Sequence, residues 1–323
     1  MENLATILVI DNIVPHGNAD SLEIALIKNW SVIVKKGDFS IGEKICFIIP
    51  DSVLPMVEWA AFYNAKSNRV RSIRLRGVWS EGICEKLSKL GLDSNLEVGT
   101  DVTKILNIFK YEPPAPKELN ARGNLPFNLF RTDENRWESL KQVPFGEKTT
   151  VTLKVDGQSF SAGCKLINND AQTFITSRSL ELKPEFNNNY TLIDKKYSIT
   201  DKLKEYCLKT GQSLCIRGEI YGLGVQSFKH NPHSKTPIDF AAFSLLDLNT
   251  LQYKSFNDLR KLYSELNIPV VPVIEEGIVT KELIKKYSED LEFINGVPFE
   301  GVVCKMPTGQ SFKIINKFYD SKK

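Results

Sequence analysis

The stretch Thr149-Thr150-Val151-Thr152-Leu153 runs directly into Lys154-Val155-Asp156-Gly157. Its first five residues are β-branched or apolar, which reads as a buried strand that ends by delivering a lysine. Lys154 is therefore a candidate nucleophile. A K-x-D-G string alone arises by chance in roughly one chain in ten of this length. Its weight rests on its companions.

Three later stretches carry them: Arg217-Gly218-Glu219-Ile220-Tyr221-Gly222, Glu300-Gly301-Val302-Val303-Cys304-Lys305 and Ser311-Phe312-Lys313. Ser213 to Ile216 reads as a strand leading into the first, and Ser311 to Ile315 as another. In the second, alternation puts Glu300 and Val302 on one face and Gly301, Val303 and Lys305 on the other. Charged side chains on such strands are expensive in a core unless paired, so their convergence predicts a polar pocket. A lysine attacks only as the neutral amine, which for a free lysine near pH 7 is on the order of one molecule in a thousand. Neighbouring cations, a bound metal and burial all favour that form, and Lys305, Lys313 and a divalent cation are the expected source.

The 323 residues predict two domains of ordinary size, and a formal charge of +3 leaves nucleic acid to local patches rather than a basic tail. No apolar run approaches a membrane span, and the amino terminus lacks a signal-peptide pattern, so an intracellular protein, cytoplasmic or nuclear and not secreted, is expected. Cys46, Cys84, Cys164, Cys207, Cys215 and Cys304 lie scattered in hydrophobic text with no C-x-x-C spacing, which predicts reduced core thiols and no zinc. In His230-Asn231-Pro232-His233 the proline argues against a helical metal face, and a loop with ordinary polar roles is expected.

Residues 1–105 read as short strands, Leu4 to Ile10, Leu22 to Ile27, Ser31 to Val34 and Lys44 to Ile49, separated by turn residues such as Lys36-Gly37-Asp38. A small β-barrel is expected. Arg69 to Gly77 alternates so that Ile73 and Leu75 would face inward while Arg74 and Arg76 face out, able to track phosphates or simply to be solvated. Trp59, Phe62, Tyr63 and Trp79 are available for base stacking or for closing the barrel. Residues 106–130, with Tyr111-Glu112-Pro113-Pro114-Ala115-Pro116-Lys117, read as a proline-containing linker. Residues 131–323 alternate strands with helices over Lys196 to Thr210, after Ser255 and after Thr280, as in an α+β domain with antiparallel sheets.

Taken together, the four stretches resemble motifs I, III, IV and V of the covalent nucleotidyltransferase superfamily, which comprises ATP-dependent RNA and DNA ligases and GTP-dependent mRNA capping enzymes. Val14 to Leu26, Val34-Lys35-Lys36-Gly37, Ile49 to Pro55 and Arg69 to Ile83 further resemble an RNA-ligase family with an amino-terminal OB-fold domain. The resemblance implies an ATP-dependent RNA ligase. Lys154 would attack the α-phosphorus of ATP and expel pyrophosphate, AMP would pass to a 5′-phosphate end, and a 3′-hydroxyl would displace AMP. Each is an in-line displacement governed by positioning and charge.

By motif position, Lys154 would be the adenylylated nucleophile and Glu219 the ribose ligand. Glu300 would help bind magnesium or manganese through water, and Asp156 would act near the lysine or the metal's waters. Gly157 would line the nucleotide, Lys305 and Lys313 would contact the α-phosphate, and Arg178, in a Ser177-Arg178-Ser179 resembling motif Ia, would contact nucleotide or end. Phe243, in a stretch resembling motif IIIa, is chosen to stack on the purine, with Phe240 and Phe243 both in the core as the other reading. Leu153 stands where many relatives have glutamate, and Ser311 or Ile315 stands where a second motif V lysine is expected, with Lys317 a possible substitute.

The expected partner is RNA, as a nicked duplex with RNA on the 3′-hydroxyl side, with no obligate protein partner. The alternatives are a DNA ligase, a GTP-dependent capping enzyme or a non-catalytic nucleic-acid-binding protein. The first two carry an OB domain after the catalytic module, whereas this sequence ends ten residues after Lys313. A binding module would be free to lose Lys154, Glu219 or Glu300, and all three are present.

Overall fold

A computed structural model describes residues 3–65, 67–111, 121–131, 134–168, 170–226 and 228–322. The chain divides into two compact units, Met1–Pro114 with Glu138–Leu140, and Ala115–Trp137 with Lys141–Lys323.

The first unit is built from β1 (Ala5–Val9), β2 (Asn12–Pro15), β3 (Leu22–Ile27), β4 (Trp30–Lys35), β5 (Lys44–Ile48), β6 (Ser52–Val53), β7 (Ile73–Leu75), β8 (Val78–Ser80), β9 (Ile83–Lys86) and β10 (Phe109–Lys110), with one short helix, α1 (Ala61–Asn64). Its sheets run β1-β5-β9 and β2-β3-β4, all antiparallel. Alternation along these strands sends Ala5, Ile7, Ile27, Ile45 and Phe47 into one core.

One expectation here is overturned. Ile73 and Leu75 do not face inward: they are 46 % and 38 % exposed. The reason is that β7 and β8 form a two-stranded hairpin of their own, and Arg76 and Gly77, at φ +47° and +91°, make its turn. Arg76 thus stands at a hairpin tip rather than on a strand. His16 and Asn18 anchor the tip through the carbonyls of Leu75 and Arg76, at 3.2 and 3.1 Å. Trp79 is buried, and Arg74 lies over its ring at 5.7 Å.

The second unit contains β11 (Ala121–Asn124), β12 (Lys148–Leu153), β13 (Gln158–Ile167), β14 (Asp170–Thr176), β15 (Leu180–Leu182), β16 (Leu214–Tyr221), β17 (Asp239–Asp247), β18 (Gln252–Tyr253), β19 (Val273–Ile278), β20 (Phe293–Ile294), β21 (Val297–Pro298), β22 (Gly301–Lys305) and β23 (Ser311–Ile315). Its helices are α2 (Asn189–Tyr197), α3 (Ile199–Thr210), α4 (Phe256–Leu266), α5 (Lys281–Lys285) and α6 (Lys317–Asp320). One sheet has the order β11-β15-β14-β13-β16-β17-β18 and the other β19-β12-β22-β23. The stretch 106–130 therefore holds two strands, β10 and β11, each paired into its own unit. Glu112 to Lys117 lie outside the described residues.

Sequence alternation gives each sheet an apolar and a polar face. On β16, Leu214, Ile216 and Ile220 join Phe160 and Ala162 of β13 in a core closed by Leu203 and Cys207 of α3 and Leu259 and Tyr263 of α4. Arg217 and Glu219 take the opposite face, beside Ser161 and Ser159. On the smaller sheet, Val151, Val302, Cys304, Phe312 and Ile314 are fully buried on one side. Their neighbours Thr150, Thr152, Val303, Lys305 and Lys313 take the other. The predicted helix over Lys196 to Thr210 is two helices, because Ser198 adopts φ +51° between them. Gly211 caps the second at φ +69°.

Candidate active site

β12 ends at Leu153, and the Lys154 amide continues the ladder for one more bond, donating to the Gly301 carbonyl at 3.0 Å. After that the chain turns into β13. This sets the Lys154 side chain on the polar face of the smaller sheet, where its Nζ donates to Glu300 Oε2 at 2.5 Å. Both side chains are largely withdrawn from solvent, at 25 % and 12 % exposure. Glu300 immediately precedes β22, so the strand that pairs with β12 also supplies the lysine's counter-ion.

The turn Lys154-Val155-Asp156-Gly157 is pinned from a distance. Asn231 donates its Nδ2 to the Asp156 carbonyl at 3.0 Å, and Gln226 its Nε2 to the Gly157 carbonyl at 2.7 Å. The Asp156 carboxylate is buried and accepts from the Tyr319 hydroxyl at 2.8 Å. Burial, then Asp156, then Glu300 push that hydroxyl well above the ordinary tyrosine value, so it stays protonated and both carboxylates act on it. Gly157 is needed for space: a Cβ there would lie 2.1 Å from the Ile220 carbonyl oxygen and 3.0 Å from Glu219 Cγ. Glu219 is thereby set against the same turn. It also acts on Tyr190, whose hydroxyl is pushed up to about 12 by burial and by this charge.

Register fixes where the cations stand. Lys313 pairs with Val303 and shares its face with Lys154, two positions along the ladder from Gly301. Lys305 pairs with Thr150 and Ser311, four positions from Gly301, or about 14 Å along an extended strand. The structure therefore groups Lys154, Asp156, Gly157, Glu219 and Glu300 closely, with Lys313 on the same sheet face two strands from β12 and Lys305 farther along β22. Lys305 is 7 % exposed and reaches between two rings, its Nζ 5.9 Å from the Phe243 centroid and 5.7 Å from that of Phe256. Its ammonium has no hydrogen-bonded or ion-paired acceptor among the described residues. Burial lowers its affinity for the proton, partly opposed by Glu134. A cavity lined by Phe243, Tyr253, Phe256, Lys305 and Gly309 opens beside it.

Phe243 sits at the register shift where β17 opposes Arg217 and Gly218, which turns its ring toward the smaller sheet. Phe240, the other candidate, is fully buried beneath helices. Arg178 occupies the tight turn between β14 and β15, lining a small recess with Ser159, Ser161, Thr176 and Arg217. Lys317 is 4 % exposed and donates to Glu289 at 2.8 Å. Arg74 and Arg76 are exposed on the β7–β8 hairpin.

The donor set suits a hard divalent cation. Asp156 and Glu300 offer only oxygen, and an ammonium already rests on Glu300 as a cation would. Among the described residues no group of three or more His, Cys, Asp or Glu side chains gathers to enclose a metal. Remaining ligands would be water and substrate phosphate, the usual pattern for magnesium. Sequence reading missed Gln226, Asn231 and Tyr319, which carry no local motif. Their role depends on a loop and a terminal helix folding back on the lysine turn.

A lysine at a strand end, ion-paired to the strand beside it and facing a second antiparallel sheet that bears Glu219, belongs to a nucleotidyltransferase-type fold. The family model for RNA ligase matches residues 147–318, more than half the chain, and the chain belongs to that family. An OB-fold domain model matches residues 4–87. Among solved structures, Naegleria gruberi RNA ligase with PPi is 27 % identical with a TM-score of 0.86, over 99 % of this chain and 98 % of that one. A variant of that ligase without ligand is 26 % identical at TM-score 0.87, covering 100 % and 99 %. Another, with AMP and Mn, is 26 % identical at TM-score 0.86, covering 99 % of each. No curated protein matches the chain significantly. Among the described residues no helix is long and apolar enough to cross a membrane.

Proposed function

We propose that this RNA ligase uses ATP, forms a lysyl-AMP on Lys154, passes the AMP to an RNA 5′-phosphate and joins that end to a 3′-hydroxyl at nicks in duplexes. The observation that carries the reading is the Lys154–Glu300 pair at the end of β12. It holds a nucleophile and a cation-binding carboxylate within one contact, in a family whose reaction is end joining. The Naegleria ligase has been solved with ATP and Mn and with AMP and Mn, which supports the same donor and a divalent metal here.

In this reading Glu300 holds the resting ammonium, and the lysine becomes nucleophilic once that carboxylate is engaged elsewhere and the proton has left. A divalent cation bound by Asp156 and Glu300 would supply charge neutralisation for the phosphates. Glu219 and Gly157 line the ribose, Lys313 faces the α-phosphate, and Arg178 meets the nucleotide or the incoming end. Lys305 binds at the base end, beside the Phe243 on which the purine stacks, rather than at the α-phosphate, because register sets it about 14 Å along the strand from Gly301. Arg74 and Arg76 contribute phosphate contacts from the amino-terminal unit. The six free, buried thiols fit a reducing, intracellular setting.

The test is sealing of a nicked duplex with labelled ends. Ligation should depend on ATP and a divalent metal and fall when the terminal nucleotides on the 3′-hydroxyl side become deoxyribonucleotides, since a ligase that reads A-form geometry and 2′-hydroxyls loses both. Equal sealing of RNA and DNA nicks would overturn the substrate assignment. Sealing of single strands alone would overturn the nick assignment.

A further inference from the structure

We infer that Tyr319 is the positioning residue that fixes the Asp156 carboxylate beside Lys154. The proposal rests on the reading of Lys154, Asp156 and Glu300 as the adenylylation site. It starts from a closed circuit of contacts. Lys154 pairs with Glu300, and the backbone carbonyl of Glu300 accepts from the Asn316 amide at 3.0 Å. Asn316 is fully buried, caps α6 by accepting from the Phe318 amide at 3.0 Å, and donates to the Leu291 carbonyl at 3.2 Å. The helix so anchored carries Tyr319, which is 3 % exposed and donates to Asp156 Oδ2 at 2.8 Å. Asp156 lies two residues from Lys154, and the circuit closes.

The residue type suits the task. A carboxylate rotates readily about its terminal torsion, and a fixed donor on one oxygen sets where the other points. A lysine or arginine in that place would neutralise Asp156 and compete with a metal. A phenol is a neutral donor that orients the carboxylate and leaves its charge available. The ring is held independently, packed edge-on against Phe228 with centroids 5.1 Å apart and planes at 80°. Phe228 lies between Gln226 and Asn231, the residues that hold the Gly157 and Asp156 carbonyls. The same segment thus steadies both partners of the Tyr319–Asp156 bond.

The experiment is Tyr319→Phe in the full chain, which keeps the ring and removes only the hydroxyl. Manganese binding in the presence of AMP is followed by the electron paramagnetic resonance of the free ion, with thermal melting in parallel and kcat and KM for lysine adenylylation measured separately. We expect the manganese Kd to rise about tenfold, matching loss of one hydrogen bond to a charged group. The rate constant should fall while KM for ATP holds, and Tyr319→Phe should add nothing to manganese affinity in an Asp156→Asn background. A Kd within twofold of wild type, with only the melting temperature lowered, would reduce Tyr319 to a structural residue. Wild-type labelling by ATP is the control that separates this failure from failure of the adenylylation reading. If Tyr319→Phe does not fold, the cycle is run with Tyr319→Leu, which also lacks a donor, and an undiminished manganese affinity there overturns the inference equally.

Discussion

Gly157→Ala is the most compact test of how tightly the lysine turn is built. The added Cβ would lie 2.1 Å from the Ile220 carbonyl oxygen, where a carbon–oxygen contact ordinarily needs about 3.3 Å. The turn must therefore move by about 1 Å, and it has little room to do so. Gln158 is paired with Ile220 in the β13–β16 ladder, and the Asp156 and Gly157 carbonyls are held by Asn231 and Gln226. Relief comes by shifting Lys154 or by opening the ladder. Overpacking of this kind costs about 1–3 kcal/mol of stability, and a 1 Å misplacement of reacting groups costs about a hundredfold in rate. Transfer of labelled AMP to the protein, normalised to the folded fraction from circular dichroism, should drop by about two orders of magnitude, with a melting temperature several degrees lower. Adenylylation within threefold of wild type at an unchanged melting temperature would refute the steric reasoning.

Lys305→Met should stabilise the protein by about 1 kcal/mol, since it removes a buried ammonium that lacks an acceptor among the described residues, while weakening ATP-dependent labelling. A calorimetric melt lower than wild type would contradict this. Burial pushes the thiols of Cys46, Cys207 and Cys304 up to about 12, so iodoacetamide at pH 7.5 should leave adenylylation unchanged. These thiols hold their protons in the folded state longer than in the unfolded one, so their contribution is intact below the unfolded value. It declines as pH rises toward 12, and a denaturant midpoint at pH 9.5 should show a loss of about 1 kcal/mol per thiol. Replacing Arg74 and Arg76 by alanine should leave lysine labelling intact and flatten the plot of log affinity for RNA against log salt by about 1 for each residue. A parallel plot would remove the hairpin from the RNA surface.

What was legible in the sequence follows the reach of its periodicities. Strands such as Leu22–Ile27 and the helix opened by Ser255 announce themselves through alternation and capping, and they fold as read. The lysine turn was legible because its strand and its glycine carry local chemistry. Ile73 and Leu75 misled because alternation marks a strand without saying whether anything covers its apolar face. On the β7–β8 hairpin those two side chains stay half exposed. Lys305 was read as a phosphate contact from its motif position, and a motif does not say how far along the strand from Gly301 a side chain lies, which only the register supplies. Tyr319 and Asn231 were invisible, since their partner Asp156 is 163 and 75 residues away along the chain. Only tertiary folding assembles such contacts.

The central claim is that Lys154 carries the adenylate. Wild type and Lys154→Ala are incubated with α-phosphate-labelled ATP or GTP and magnesium or manganese, then denatured in acid and counted. The account predicts acid-stable label on wild type from ATP alone and none on Lys154→Ala. Label from GTP would point to a capping enzyme, and label retained by Lys154→Ala, or none on wild type shown to be free of prior AMP, would contradict it.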